Sequence, residues 1–233
     1  RCEVQKDGYT IFKDITVTAV VAVGIVTQPT NASVTYGDTA LPNELTDLTT
    51  EFESGNTVSA QWFVQSSDAK PDIALTESKS LTSKAAYGEA AFSHTLNAGS
   101  YPVYCKLTVS SGSIISTVTS HVVTLTVQPK VLTAQDLAYT GSTTKNYDGT
   151  TSAPVGASVS VRSSALVGSD TLNVTGTIVY DTKNVTATKL TFTPDAIENG
   201  NYRLPAGEVL TVPAGITPKM LTEFDFSGIA VTK

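Results

Sequence analysis

Histidine, cysteine and charge are all scarce in this sequence. Its 233 residues include two His, two Cys, one Trp and one Met, and charged residues make up 15% of it, well below the usual quarter. Two histidines leave little for proton transfer near neutral pH, and no His-x-His, Cys-x-x-Cys or His-Glu-x-x-His spacing exists to hold zinc. Two cysteines do not make a disulfide framework. The 15 Lys and Arg are scattered and the net charge is −6, so the clustered positive charge that a phosphate backbone demands is missing and nucleic acid is excluded as a partner. No basic amphipathic stretch points to a membrane surface. The longest apolar run, Ala19 to Val26, falls well short of the roughly 20 residues that span a bilayer, so no membrane insertion is expected. The chain opens on Arg1 rather than Met, which reads as a piece of something longer.

What is plentiful is threonine, 37 residues of it, together with valine. A β-branched side chain suits a pleated, half-buried surface better than a helix. Period-two alternation runs through Val58, Ala60, Trp62 and Val64, through Tyr101, Val103, Cys105, Leu107 and Val109, and through His121, Val123, Leu125 and Val127. Each pattern sets one face on a core and the other mostly in water. Turn signals part the runs: Tyr36-Gly37-Asp38, Ser54-Gly55-Asn56, Ala98-Gly99-Ser100, Ser111-Gly112-Ser113 and Asn199-Gly200-Asn201. Many short strands at this spacing predict an all-β chain of tandem β-sandwich-like domains, with a β-grasp-like form as the alternative for the second.

Boundaries fall near Gln128-Pro129-Lys130 and Thr217-Pro218-Lys219. Pro129-Lys130-Val131-Leu132-Thr133 resembles Pro218-Lys219-Met220-Leu221-Thr222, and each leads to an Asp three residues on, Asp136 and Asp225. That offset of 89 residues is a plausible domain period. Near the N-terminus, Cys2 to Val4, a Gly8 turn and Ile15 to Val21 read as a hairpin that matches Cys105, Gly112 and Val118 to Val127, 103 residues on. Four segments are therefore expected: the last two strands of a preceding repeat over 1–24, domains over 25–128 and 129–219, and the start of a further repeat over 220–233. Equivalent positions in successive domains stand too far apart for a disulfide, which needs Cα atoms within about 7 Å. Cys105 is then expected to be a buried free thiol, not bonded to Cys2.

Residues 25–128 resemble the immunoglobulin-like domains of bacterial surface proteins. The matching pieces are Thr27-Gln28-Pro29, Val34 to Asp38, Gln61-Trp62-Phe63 and Ala98-Gly99-Ser100-Tyr101. The resemblance implies that Trp62 packs between the sheets and that the Tyr101 hydroxyl caps the corner before the sixth strand. Val103 stands where many members carry Cys, and no Cys lies between Leu45 and Phe52, so the inter-sheet disulfide is expected to be missing. Residues 130–219 resemble the YDG domain of large repetitive bacterial adhesin-like proteins. Here the pieces are Lys145-Asn146-Tyr147-Asp148-Gly149-Thr150-Thr151, Asp181-Thr182-Lys183-Asn184-Val185, Gly200-Asn201-Tyr202 and Ile216-Thr217-Pro218-Lys219. That resemblance implies surface display and a structural or adhesive role without a reaction.

No constellation of side chains predicts catalysis. His94, between Phe92 and Leu96, and His121 read as half-buried strand residues. Ser67-Asp68-Ala69-Lys70 has Ser-x-x-Lys spacing in a polar loop, but its companion Ser-Asp-Asn and Lys-Thr-Gly elements are absent. Glu51 with Glu53, and Glu223 with Asp225, pair carboxylates on faces expected to meet solvent. Asp148, Asp170 and Asp181 are the calcium candidates, without an Asp-x-Asp-x-Asp loop around them. Asn31, Asn173 and Asn184 sit in Asn-x-Ser/Thr contexts that a Thr-rich chain produces by chance. In Tyr147-Asp148-Gly149, Gly is expected to supply a positive φ, Asp to bond back to the turn, and Tyr to pack into the core. The reading is an extracellular, cell-surface stalk or adhesin segment with no catalytic, cofactor or metal residues. Its partner would be a host or bacterial surface protein or glycan. The alternative is a carbohydrate- or protein-binding module, with Phe63 and Tyr104 as outward aromatics.

Overall fold

The computed structural model describes residues 2–7, 9–13, 22–67, 70–197 and 199–222. They divide between two compact units, the first taking in the chain up to Val34 and Asp38–Val127, the second Thr35–Gly37 and everything from Gln128 on. The fold is all-β. Among the described residues no helix is long and apolar enough to cross a membrane.

An N-terminal hairpin joins β1 (Cys2–Lys6) to β2 (Tyr9–Lys13), with Lys6 opposite Tyr9. This closes sooner than the sequence suggests, and the expected partner strand at Ile15–Val21 lies outside the described residues. The first unit continues through β3 (Val23–Thr27), β4 (Ala32–Thr35), a one-turn helix α1 (Asn43–Thr46), β5 (Thr49–Phe52), β6 (Thr57–Val64), β7 (Ile73–Ala74), β8 (Lys79–Ser80), β9 (Gly99–Ser111), β10 (Ile114–Thr119) and β11 (Val123–Gln128). The main sheet runs β4-β11-β9-β6-β7, with β10 also on β9 and β8 also on β6; β3 and β5 form a second, two-stranded sheet. Alternation sends Val58, Ala60, Trp62 and Val64 from β6, and Val103, Cys105, Leu107 and Val109 from β9, into one core. Val23, Ile25 and Phe52 of the smaller sheet pack against it. Trp62 and Leu125 are fully buried, and Trp62 meets Tyr87 edge-to-face at 6.3 Å. Burial of such apolar surface, at about 25 cal/mol per Å², is what holds the two layers together.

The strand predicted over His121–Val127 starts late. Ser120 turns inward between β10 and β11, and its hydroxyl accepts the Cys105 N–H at 2.9 Å, which breaks the run. His121 and His94 are both exposed and outside any strand, so neither is the half-buried strand residue that its apolar neighbours suggest. Aligning the turns of the two hairpins, Lys6–Tyr9 with Ser111–Ile114, sets Cys2 against Leu107 rather than Cys105. The slip is two residues, so both alignments keep the same strand face.

The second unit is built from smaller ladders. In chain order they are β12 (Lys130–Val131), β13 (Leu137–Thr140), β14 (Thr144–Asn146), β15 (Ser158–Val161), β16 (Val174–Tyr180), β17 (Lys189–Ile197), β18 (Tyr202–Arg203), β19 (Leu210–Pro213) and β20 (Gly215–Thr217). The antiparallel sheet β16-β17-β19 is the largest. β13 pairs antiparallel with β15, while β12 pairs with β18 and β14 with β20 in parallel. Tyr180, Ala187, Leu190 and Ile216 form a core cluster, and Leu132, Leu137, Phe192 and Tyr202 are also buried. A bulge at Thr175–Gly176 bends β16 against β17. A Cβ on Gly176 would run into the Thr193 carbonyl and the Phe192 ring, so the close approach there requires glycine.

Candidate functional site

The turn after β14 holds a closed polar arrangement. Lys145 lies opposite Ile216 in the β14–β20 ladder, which points its side chain inward and leaves only 10% of it exposed. Its Nζ donates to Asp148 Oδ1 (2.8 Å), to the Thr150 carbonyl (3.0 Å) and to Thr150 Oγ1 (2.9 Å), using all three of its N–H groups. The same ammonium sits 5.4 Å from the centre of the Tyr180 ring, within cation–π range. Asp148 Oδ1 also accepts the Thr150 N–H and hydroxyl, both at 2.9 Å. These contacts, led by Lys145, pull the Asp148 carboxyl down to about 2. Gly149 takes φ +78° to close the turn, the left-handed conformation that glycine adopts without a Cβ penalty.

Tyr147 does not pack into the core as expected. Its N–H donates to the Thr217 carbonyl at 2.8 Å, but its side chain is 38% exposed. The strand ends at Asn146 and the chain turns away. Tyr180 is the buried tyrosine here, its hydroxyl on the Thr143 carbonyl at 3.1 Å.

The other motif pieces also spend their polar groups locally. Asp181 closes the β16–β17 loop, accepting the Thr188 N–H (3.2 Å) on Oδ1 and the Thr188 hydroxyl (2.8 Å) on Oδ2. The Thr188 hydroxyl is the main reason its carboxyl titrates below the usual range. Asp170 Oδ2 accepts the hydroxyls of Tyr36 and Tyr202, each at 2.7 Å, and the Tyr202 hydroxyl accepts the Val167 N–H at 2.7 Å. Burial, then the Asp170 contact, pushes the Tyr202 phenol up to about 12. The three calcium candidates thus each have partners of their own. Among the described residues no three His, Cys, Asp or Glu gather to hold a metal. A cleft of about 370 Å³ is lined by Thr193, Asp195, Tyr202, Arg203 and Glu208 among others.

In the first unit Tyr101 donates its hydroxyl to the Asn97 carbonyl at 2.8 Å, capping the corner before β9. Phe63 and Tyr104 face each other across β6 and β9 on the outward side, rings 5.8 Å apart and 21° from parallel. Tyr104 donates to Asp72 Oδ2 at 2.6 Å, and Asp72 Oδ1 accepts the Ser66 N–H. Partial burial, then Asp72, raises the Tyr104 phenol to about 12. Gln61, Phe63 and Lys106 line a shallow depression of about 100 Å³ beside this pair. Cys105, opposite Trp62, is a buried free thiol raised to about 12 by burial, so it stays protonated and inert. Ser67 and Lys70 are both exposed. Glu51 and Glu53 are both exposed, and Glu51 pairs with Lys84 at 2.8 Å. Glu223 and Asp225 lie outside the described residues. Asn31 Oδ1 accepts the Thr124 N–H, while Asn173 and Asn184 are exposed.

Sequence reasoning missed Lys145 and Tyr180 as the centre of the turn. Lys145 does carry a signal, an inward strand position with an acid three residues on. The Asp170–Tyr202 contact carries none, because 32 residues separate the pair. No curated protein matches the chain. Residues 128–209 match the family model for the YDG domain, a span that holds the Lys145–Thr151, Asp181–Val185 and Gly200–Tyr202 pieces and ends before Ile216, and this stretch of the chain is a YDG domain.

Proposed function

We propose that the chain is a non-catalytic stalk or adhesin segment of a bacterial cell-surface protein, displayed outside the cell, with an immunoglobulin-like domain ahead of its YDG domain. The observation that carries this is the spending of the YDG motif on itself. Lys145, Asp148 and Thr150 satisfy one another, which fixes a turn and leaves little to offer a substrate. Buried Trp62 and the Tyr101–Asn97 bond support the immunoglobulin-like reading of the first unit. Serial β units would hold a distal region away from the surface. Stretching the intact chain between its ends in a force microscope tests this. Two separate unfolding events under load support a stalk; extension without resistance contradicts it.

A second reading has an observation of its own. Phe63 and Tyr104 place aromatic surface beside Gln61 and Lys106 on an outward sheet face, a mixture that suits a glycan- or protein-binding module. Saturable binding on a glycan array, lost in Tyr104→Ala, would favour that module over the stalk.

A further inference from the structure

The cleft of about 370 Å³ in the second unit is walled by separate pieces of chain, each fixed by bonds of its own. The first is the end of β17. There Ala196 lies opposite Thr175 of β16 and Pro194 opposite Gly176, which leaves Asp195 as an extra residue without a partner in the ladder. Such a bulge re-aims a side chain, and the missing Cβ of Gly176 lets the two strands close up beside it. The second piece is β18, where Tyr202 turns inward and Arg203 outward. The Tyr202 hydroxyl donates to Asp170 and accepts the Val167 N–H, which fixes the ring. The third is the turn Pro205–Glu208, closed by the Glu208 N–H on the Pro205 carbonyl at 3.2 Å, with Gly207 at φ +81°. Glu208 Oε1 also accepts the Ala134 N–H.

Asp195 and Arg203 are both exposed and both line this cleft. Among the described residues neither side chain makes a hydrogen bond or an ion pair. Opposite charges held apart on a fixed frame find their complement in a ligand that carries both. We propose that the cleft takes a zwitterion of the amino-acid or short-peptide class, its carboxylate on the Arg203 guanidinium, its ammonium on Asp195 and an apolar side chain against Ile197 and Leu204. A planar guanidinium accepts a carboxylate through two parallel N–H bonds, and the volume is that of a small-ligand site. A sugar fits less well, because the aromatic of the lining, Tyr202, is 3% exposed and offers no open ring face. An added strand is disfavoured too. β19 covers β17 only from Lys189 to Phe192, but the open edge beyond carries Pro194, which has no N–H to donate. The inference goes beyond the stalk reading and does not rest on it.

Calorimetric titration of the full chain with free leucine and with tri-leucine tests this. Saturable binding is expected; tighter binding of leucine marks a free amino acid as the ligand, and tighter binding of tri-leucine a peptide. Blocking either end of the tighter probe, by acetylation or by amidation, should weaken it about tenfold, as loss of one charge-assisted bond does. Arg203→Gln should weaken the unblocked probe by the same factor and leave the amidated one unchanged. Asp195→Asn should weaken the unblocked probe likewise and leave the acetylated one unchanged. Neither substitution should move the melting temperature, because both side chains are exposed and unpaired. Three results would overturn the proposal: no saturable binding of either probe, equal affinity for a probe blocked at both ends, or affinity untouched by both substitutions. The second would make the cleft an apolar pocket only, and the third would place the ligand elsewhere on the chain. Loss of mechanical resistance in the pulling experiment would sink the stalk alone, without touching these outcomes.

Discussion

Lys145 ties two neighbouring polar residues, Asp148 and Thr150, into one closed unit with itself, and its three donors leave none for a ligand. The Asp148 carboxyl titrates at about 2 against an ordinary 3.8. Its charged form therefore stabilises the fold fully above about pH 4, and that contribution is lost as the pH falls through about 2. The melting temperature of the second unit should drop across this window, and Asp148→Asn should flatten the drop while lowering stability at neutral pH. Tyr147 and Tyr180 separate by burial. Tyr147→Ala, at a largely exposed site, should cost no more than about 0.5 kcal/mol, whereas Tyr180→Ala empties a buried position at a cost of about 3 kcal/mol or more. Denaturant melts of the two variants compare them directly; equal losses would return Tyr147 to the core. Cys105 gives a third check. Buried and protonated, it should resist alkylation in the native protein and label fully once denatured, as mass spectrometry would show.

At the scale of elements, alternation was a good guide where strands are long. β6 and β9 follow it residue by residue, because each has a core on one side and water on the other. The guide fails where a polar residue is drawn inward, as Ser120 is by the Cys105 N–H, or where pairing is remote. β12, β14, β18 and β20 are two or three residues long and pair in parallel across 70 residues or more, so no local pattern announces them. The same holds for the motif. Its Gly and Asp roles were legible as turn chemistry, but Tyr147 is fixed by its N–H bond to the Thr217 carbonyl of β20, 70 residues on, which no local pattern announces. Gly176 tests the packing of β16 on β17. Gly176→Ala puts a methyl against the Thr193 carbonyl and the Phe192 ring and should destabilise by about 1–3 kcal/mol, as overpacking does. A variant as stable as the parent would mean that the bulge relaxes freely.

Taken whole, the molecule is two β units with separate cores, one organised by buried Trp62 and the other by short ladders tied with polar turns. The sole tryptophan belongs to the first unit, so its fluorescence follows that unit, while far-UV circular dichroism follows both. That division allows the central claim, that the YDG motif works as an internal tie, to be tested in a single thermal scan of Lys145→Met. Loss of charge-assisted hydrogen bonds is expected to cost about 1–2 kcal/mol, which for a domain of this size lowers the midpoint by about 5 °C or more. The dichroism transition of the second unit should shift down by that amount, with the Trp62 emission midpoint unchanged. A dichroism transition that stays where it was would contradict the claim, because the Lys145 ammonium would then contribute nothing to the fold that holds it.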